Sequence, residues 1–192
     1  MEFLLENTGK MAVKTNDPAG KRILLVNLPF QDNVKAVAQT SVGPPMGLAY
    51  IAAVLEEAGY PVAILDANAL QLSFEEIEEE IRACQPQIVG TTASTPSLPL
   101  AVKLSEVAGV ATDQRASFVL GGPHGSALPE QTLRDHPEID LVVLGEGELI
   151  AERIVAALFF PATKDREAAL SSIPGVAFLN KAGQPVVTGG LS

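Results

Sequence analysis

Residues able to touch a ligand gather at a few places in this sequence and share a character. Leu28-Pro29 and Pro45-Met46-Gly47 bring prolines and small residues, and Thr92, Ser94 and Thr95 bring hydroxyls. Gly121-Gly122-Pro123-His124 adds two adjacent glycines and an imidazole, and Gly145-Glu146-Gly147-Glu148 adds two carboxylates. Small side chains expose backbone N–H and C=O groups, hydroxyls both donate and accept, and almost no cationic side chain lies among them. Such a set suits a bulky, largely neutral ligand rich in amide and hydroxyl groups. Each motif also has a plainer reading. Gly-Gly is a common turn dipeptide, Thr95 or Ser97 can cap a helix, and acidic residues sit well at a helix start. Glu146 and Glu148 could serve acid–base chemistry, yet no nucleophile or second base stands at a fitting spacing. The chain itself is therefore expected to hold no catalytic residue. His124 reads equally as a ligand contact and as a solvent-facing turn residue, and His136, beside Pro137, reads as structural. Cys84 reads as a lone core thiol rather than a reactive or metal-binding one.

Composition narrows the classes. The 192 residues are 47% hydrophobic, enough for one core and an appendage, and the net charge of −10 leaves no basic stripe to track a phosphate backbone. Nucleic acid is not expected as a partner. No apolar run approaches the roughly 20 residues of a membrane helix, so no membrane span is expected. A single cysteine excludes an intrachain disulfide, and with no secretory signal pattern the cytoplasm is the expected compartment. Neither a P-loop nor a GxGxxG after the first strand is present, which removes the main supports for nucleotide hydrolysis and ordinary dinucleotide binding.

The elements that must position these residues follow from periodicity. Residues 22–28 (RILLVNL) form a continuous apolar run ending at Pro29, the pattern of a strand buried on both faces. A long loop, 29–45, precedes a helix over 46–58 with Leu48, Ile51, Ala52 and Leu55 on one face and Gly59 as its stop. Residues 61–66 form the second strand. Ser73 and Glu76 make a capping box before a helix with Ile77, Ile81 and Cys84 inward. The third strand is 87–92, followed by a helix to about 111 with Leu98, Ala101, Val102 and Ser105 inward. The fourth strand is 117–120, residues 128–135 form a short helix, the fifth strand is 139–144, and a helix runs on to 159. This alternation predicts a doubly wound, flavodoxin- or Rossmann-like α/β fold, a five-stranded parallel sheet in the order 2-1-3-4-5. Its ligand edge lies at the carboxyl ends of the strands, at the switch point between strands one and three. Residues 161–168 are polar, and 176–179 with 185–188 flank a tight turn at Lys181-Ala182-Gly183, giving a C-terminal β-hairpin. Three segments are expected: a disordered leader over 1–20, the domain proper over 21–160, and a linker with hairpin over 161–192 that leads to a further domain.

Taken in order, Pro44 to Ala52 (PPMGLAYIA), Ala58-Gly59-Tyr60-Pro61-Val62, Ile64 to Ala67, Val89 to Ala93, Gly121 to His124 and Gly145 to Glu148 resemble the N-terminal cobalamin-binding domain of cobalamin-dependent radical S-adenosylmethionine enzymes. The resemblance spans about residues 21–188. It implies a corrin ring over the carboxyl edge of the sheet with its nucleotide tail directed toward the switch point. Leu28, Pro29, Pro45, Met46 and Gly47 then match the region near the ring, and Thr92, Ser94 and Thr95 match the hydroxyl-bearing loop along the tail. Gly121, Gly122, Pro123 and His124 match the close-approach loop, and Gly145 and Glu146 the last loop.

Two departures from related cobalamin proteins are informative. The DxHxxG motif that supplies a histidine to cobalt is missing, since residues 28–46 contain no histidine. The CxxxCxxC motif for a [4Fe–4S] cluster is missing as well, and one cysteine cannot hold such a cluster. The resemblance thus implies cobalamin, as methylcobalamin, on this chain, with the cluster and S-adenosylmethionine on a downstream catalytic domain of methyltransferase or cyclase type. The competing expectations are a cofactor-free structural or docking module of the same fold and a small flavodoxin-like sensor or enzyme using Glu146 or Glu148. A large residue at Gly122 is expected to block the ligand more than it disturbs folding.

Overall fold

The computed structural model describes residues 21–29, 43–160 and 165–189. The expected leader, most of the loop after the first strand and the start of the linker lie outside these residues. Four strands rich in β-branched and aliphatic residues, β1 (Ile23–Asn27), β2 (Val62–Asp66), β3 (Ile88–Thr92) and β4 (Ser117–Gly121), pair in parallel with a short β5 (Leu141–Val143). Their order is β2-β1-β3-β4-β5, the arrangement that right-handed crossovers favour.

The sheet does not stop at five strands, and this corrects the sequence expectation. Strands β6 (Val176–Leu179) and β7 (Pro185–Val187) form the expected hairpin, but β6 pairs antiparallel with β5 and makes the described sheet seven-stranded and mixed. The hairpin joins because β6 alternates buried Val176 and Phe178 on one face with Ala177 on the other, so it covers an otherwise open edge of β5. Asn180 sets the turn: its side chain accepts from the N–H groups of Ala182 and Gln184, and Gly183 takes φ +72.

Helices cover both faces. On one lie α1 (Met46–Glu57) and α6 (Ala151–Phe159); on the other lie α2 (Phe74–Cys84), α3 (Leu98–Ala111) and α5 (Pro129–Asp135), with the one-turn α4 (Pro123–Ala127) leading into α5. The capping box before α2 is present, Ser73 Oγ accepting from Glu76 N and Glu76 Oε2 from Ser73 N. Along α3 the buried stripe runs Ala101, Leu104, Ser105, Ala108 and Ala111, so Leu104 takes the central place expected for Val102, which is only half-buried. A further helix, α7 (Arg166–Ser171), stands in a segment read from the sequence as polar linker. Asp165 caps it through Glu167 N, and its one fully buried residue, Leu170, anchors it beneath α6.

Register matters more for the site than order does. In one row across the sheet Ile64, Leu25, Gly90, Val119 and Leu141 stand side by side on the face toward α1 and α6. In the adjacent row Leu65, Val26, Thr91, Leu120 and Val142 face α2 and α3, and all of them are buried. The first row has no side chain at its centre.

Candidate functional site

A cavity of about 380 Å³ opens at the carboxyl ends of the strands and runs along the first row, between the sheet and helices α1 and α6. Its volume falls within the roughly 300–1,000 Å³ usual for small-molecule sites. The floor is Gly90. A Cβ there would meet Leu25 Cδ2 at 2.8 Å, so the glycine lets the Leu25 tip lie close over the strand beside the cavity. The walls are aliphatic: Leu25 and Val119 from the sheet, Leu48, Ile51 and Leu55 from α1, and Ile154 and Val155 from α6. Backbone N–H and C=O groups along these strands are engaged in the parallel ladders, so the interior is an apolar slot.

The mouth is different in chemistry. Thr92, Gly121, Gly122, Pro123, Ser126, Gly145, Glu146, Gly147 and Glu148 surround it, and Gly47 contributes from the start of α1. Gly122 adopts φ +97, and a Cβ on it would strike Thr92 Oγ1 and lie 2.8 Å from the carbonyl oxygen of Ala93. Backbone geometry thus demands glycine there whether or not a ligand is present. The expectation that a large residue at Gly122 disturbs binding more than folding does not survive this geometry. Ser126 ties two of the mouth loops together: its hydroxyl donates to Gly122 O at 3.0 Å and accepts from Gly145 N at 3.0 Å. Gly145, at φ +69, turns the chain out of β5 and leads to a short 3-10 turn, Gly147–Leu149.

Of the residues singled out in the sequence, Gly47, Thr92, Gly121, Gly122, Pro123, Gly145, Glu146 and Glu148 come together around this mouth. The others stand apart from it. Leu28 packs on the core beneath α2 and α3, Met46 is 51% exposed on α1, and Pro29 and Pro45 are half-buried outside the lining. The Ser94 and Ser97 hydroxyls pair at 3.1 Å, closing the turn before α3. His124 is neither solvent-facing nor in the slot: it is 7% exposed, with Nδ1 3.1 Å from Thr95 Oγ1 and its N–H donating to Ala93 O. It braces the β3 loop against the β4 loop. Cys84 is half-buried against the core, and burial pushes its thiol above the ordinary range, as befits a packing residue. His136 lies 3.4 Å from Glu138 at the surface, on the far side of α5.

Leu25, Gly90, Val119 and Ser126 were not legible as site residues from sequence. Gly90 sits mid-strand in IVGTT, where the signal available was an isolated glycine inside a strand, a mark of close approach by something else. A second hollow of about 360 Å³ lies at the opposite edge, where β5 begins and β6 ends. Its charges answer one another, Arg166 to Asp140 at 3.2 Å and Lys181 to Asp165 at 3.1 Å. Among the described residues no helix is long and apolar enough to cross a membrane.

The family model of the B12 binding domain matches residues 34–155. An uncharacterized methyltransferase of Pyrococcus horikoshii is 40% identical over 157 residues, which are 82% of this chain and 32% of that protein. An anaerobic magnesium-protoporphyrin IX monomethyl ester cyclase of Cereibacter sphaeroides is 34% identical over 148 residues, 75% of this chain and 24% of that protein. The chain therefore spans a third or less of the length of these relatives. Among solved structures, the radical S-adenosylmethionine methyltransferase TsrM of Kitasatospora setae superposes with a TM-score of 0.68 at 21% identity, over 88% of this chain and 30% of its own. The cobalamin-dependent S-adenosylmethionine radical enzyme OxsB superposes with a TM-score of 0.66 at 17% identity, over 90% of this chain and 22% of its own. At these identities the two structures speak for the fold.

Proposed function

The chain belongs to the B12-binding domain family, and from that premise we propose that it holds a cobalamin with the corrin ring over the carboxyl edge of the sheet and the nucleotide tail in the slot. The observation that carries the reading is the apolar cradle beside Gly90, at the switch point between β1 and β3. The residues present fit the group. A flat aromatic base needs aliphatic walls on both sides, and Leu25, Ile51, Leu55, Val119 and Val155 provide them. The amide-rich ring and ribose need small residues and backbone groups, which Gly47, Thr92, Gly121, Gly122, Pro123, Gly145 and Glu146 offer at the mouth.

When bound, the corrinoid supplies methyl-transfer or electron chemistry at cobalt, as methylcobalamin in the reading favoured here. This chain's residues bind and orient it. Gly122 and Ser126 hold the two mouth loops at a fixed separation, and His124 with Thr95 fixes the loop after β3. Ser94 shapes that loop through Ser97; Pro29, Pro45 and Met46, outside the lining, would lie toward the ring, while Leu28 packs on the core. Glu146 is exposed at the mouth and acts through its backbone.

In this proposal residues 21–160 form the cobalamin-binding domain, and residues 161–192 lead toward a radical S-adenosylmethionine catalytic domain of the same protein. That domain carries the [4Fe–4S] cluster and S-adenosylmethionine, and the whole is a cytoplasmic enzyme of methyltransferase or cyclase type. The greater length of the relatives supports this layout. Incubation of the chain with hydroxocobalamin, gel filtration and a visible spectrum of the protein peak test the reading. Corrin absorbance at near one equivalent per chain is expected; a colourless peak would leave a cofactor-free module of the same fold.

A further inference from the structure

Among the described residues, the interior of the slot offers no side chain free to hydrogen-bond. Its polar side chains among the described residues are Thr91, Thr92, Ser126, Glu146 and Glu148. Thr91 points its hydroxyl away, donating to Val26 O at 2.8 Å, and the remaining four belong to the mouth. Deeper in, Leu25, Ile51, Leu55, Val119 and Val155 surround the Gly90 floor, while the strand amides are spent in the ladders. A polar group carried into such a place loses its water and gains no partner. A dimethylbenzimidazole carries only one free ring nitrogen into the slot, and its methyl groups gain contact with the aliphatic walls.

Resting on the reading above, we infer that the slot selects among corrinoids by their lower base, accepting a methylated benzimidazole and rejecting a purine. A purine base brings an exocyclic amine and extra ring nitrogens, and each of these would be buried against a side chain that can neither donate nor accept. The selection comes from what the lining lacks, so a single added hydroxyl weakens it. Val119, at the centre of β4 and in register with Gly90, is the position at which to add one, since threonine keeps its shape.

The test is equilibrium binding of three corrinoids to the chain, read from the visible spectrum: cobalamin, the corresponding corrinoid with an adenine lower base, and cobinamide, which has no base. Cobalamin is expected to bind at least about fivefold more tightly than the adenine form, the smallest effect one unsatisfied buried polar group would produce. Val119→Thr is expected to narrow that gap mainly by improving binding of the adenine form. Equal affinity for the two based corrinoids, both well above cobinamide, would overturn the selectivity and leave the slot as the tail site. Equal affinity for all three would remove the tail from the slot and overturn the inference while leaving corrinoid binding intact; no binding of any of the three would overturn the functional reading itself.

Discussion

Two adjacent rows of side chains cross the same five strands and end up with different tasks. On the face toward α2 and α3, Leu65, Val26, Thr91, Leu120 and Val142 fill their row without a gap, and the one polar member satisfies its hydroxyl on Val26 O. On the face toward α1 and α6, Ile64, Leu25, Val119 and Leu141 stand around Gly90, the tip of Leu25 leans over the glycine, and the cavity opens beside it. Both rows are apolar and lie one residue apart along the chain. Close packing on one side holds the domain together, while on the other a cavity of about 380 Å³ stays open beside a residue without a Cβ.

The contrast can be broken from either side. Opening the filled row should have the largest effect: Leu120→Ala removes a fully buried side chain with no existing cavity to share its loss, and is expected to cost about 2–5 kcal/mol in urea unfolding. Corrinoid affinity of the folded fraction should be unchanged. Next comes Gly122→Ala, where a positive φ and the Ala93 backbone leave no room to relax. About 2–3 kcal/mol of lost stability is expected in the same measurement, accompanied by weaker cobalamin binding.

Filling the gapped row should separate binding from folding. In Gly90→Val the new side chain meets only the flexible tip of Leu25 and has the cavity to enter, so stability should change by less than about 1.5 kcal/mol. Cobalamin affinity should fall at least about tenfold, ~1.4 kcal/mol, in a spectrophotometric titration, with cobinamide binding unaffected. Ser126→Ala is the smallest change. It removes the hydroxyl that links Gly122 O to Gly145 N and should cost about 1 kcal/mol in unfolding. Its cobalamin affinity should weaken by a few-fold as the mouth loops separate.

Much of the architecture was legible because it rests on local signals. Alternating apolar runs and amphipathic segments specified the five parallel strands, and Ser73 with Glu76 announced the start of α2. What escaped depended on partners distant in sequence. The attachment of β6 to β5 follows from an edge that exists only once the sheet has formed, and α7 is held by one buried leucine in a polar stretch that carries too weak a helical pattern. At the site, the mouth was legible because glycines and hydroxyls at strand ends advertise close approach. The slot was not, since Gly90 acquires its meaning from Leu25 and Val119 on the neighbouring strands. His124 shows the converse: beside two glycines an exposed turn is a natural reading, and tertiary packing buries it against Thr95 instead.

In the function proposed above, the slot would hold the nucleotide tail away from cobalt. Electron paramagnetic resonance of the Co(II) form bound to the chain tests it directly, because a nitrogen ligand below cobalt splits each cobalt hyperfine line into three. Residues 28–46 provide no histidine, and His124 is buried against Thr95 outside the slot, so no protein imidazole would stand below the cobalt of a bound cobalamin. The expected spectrum has no threefold nitrogen splitting. Splitting that persists in wild type would contradict the account, assigning the ligand to an imidazole if His124→Ala abolishes it and to a base still on cobalt if it does not.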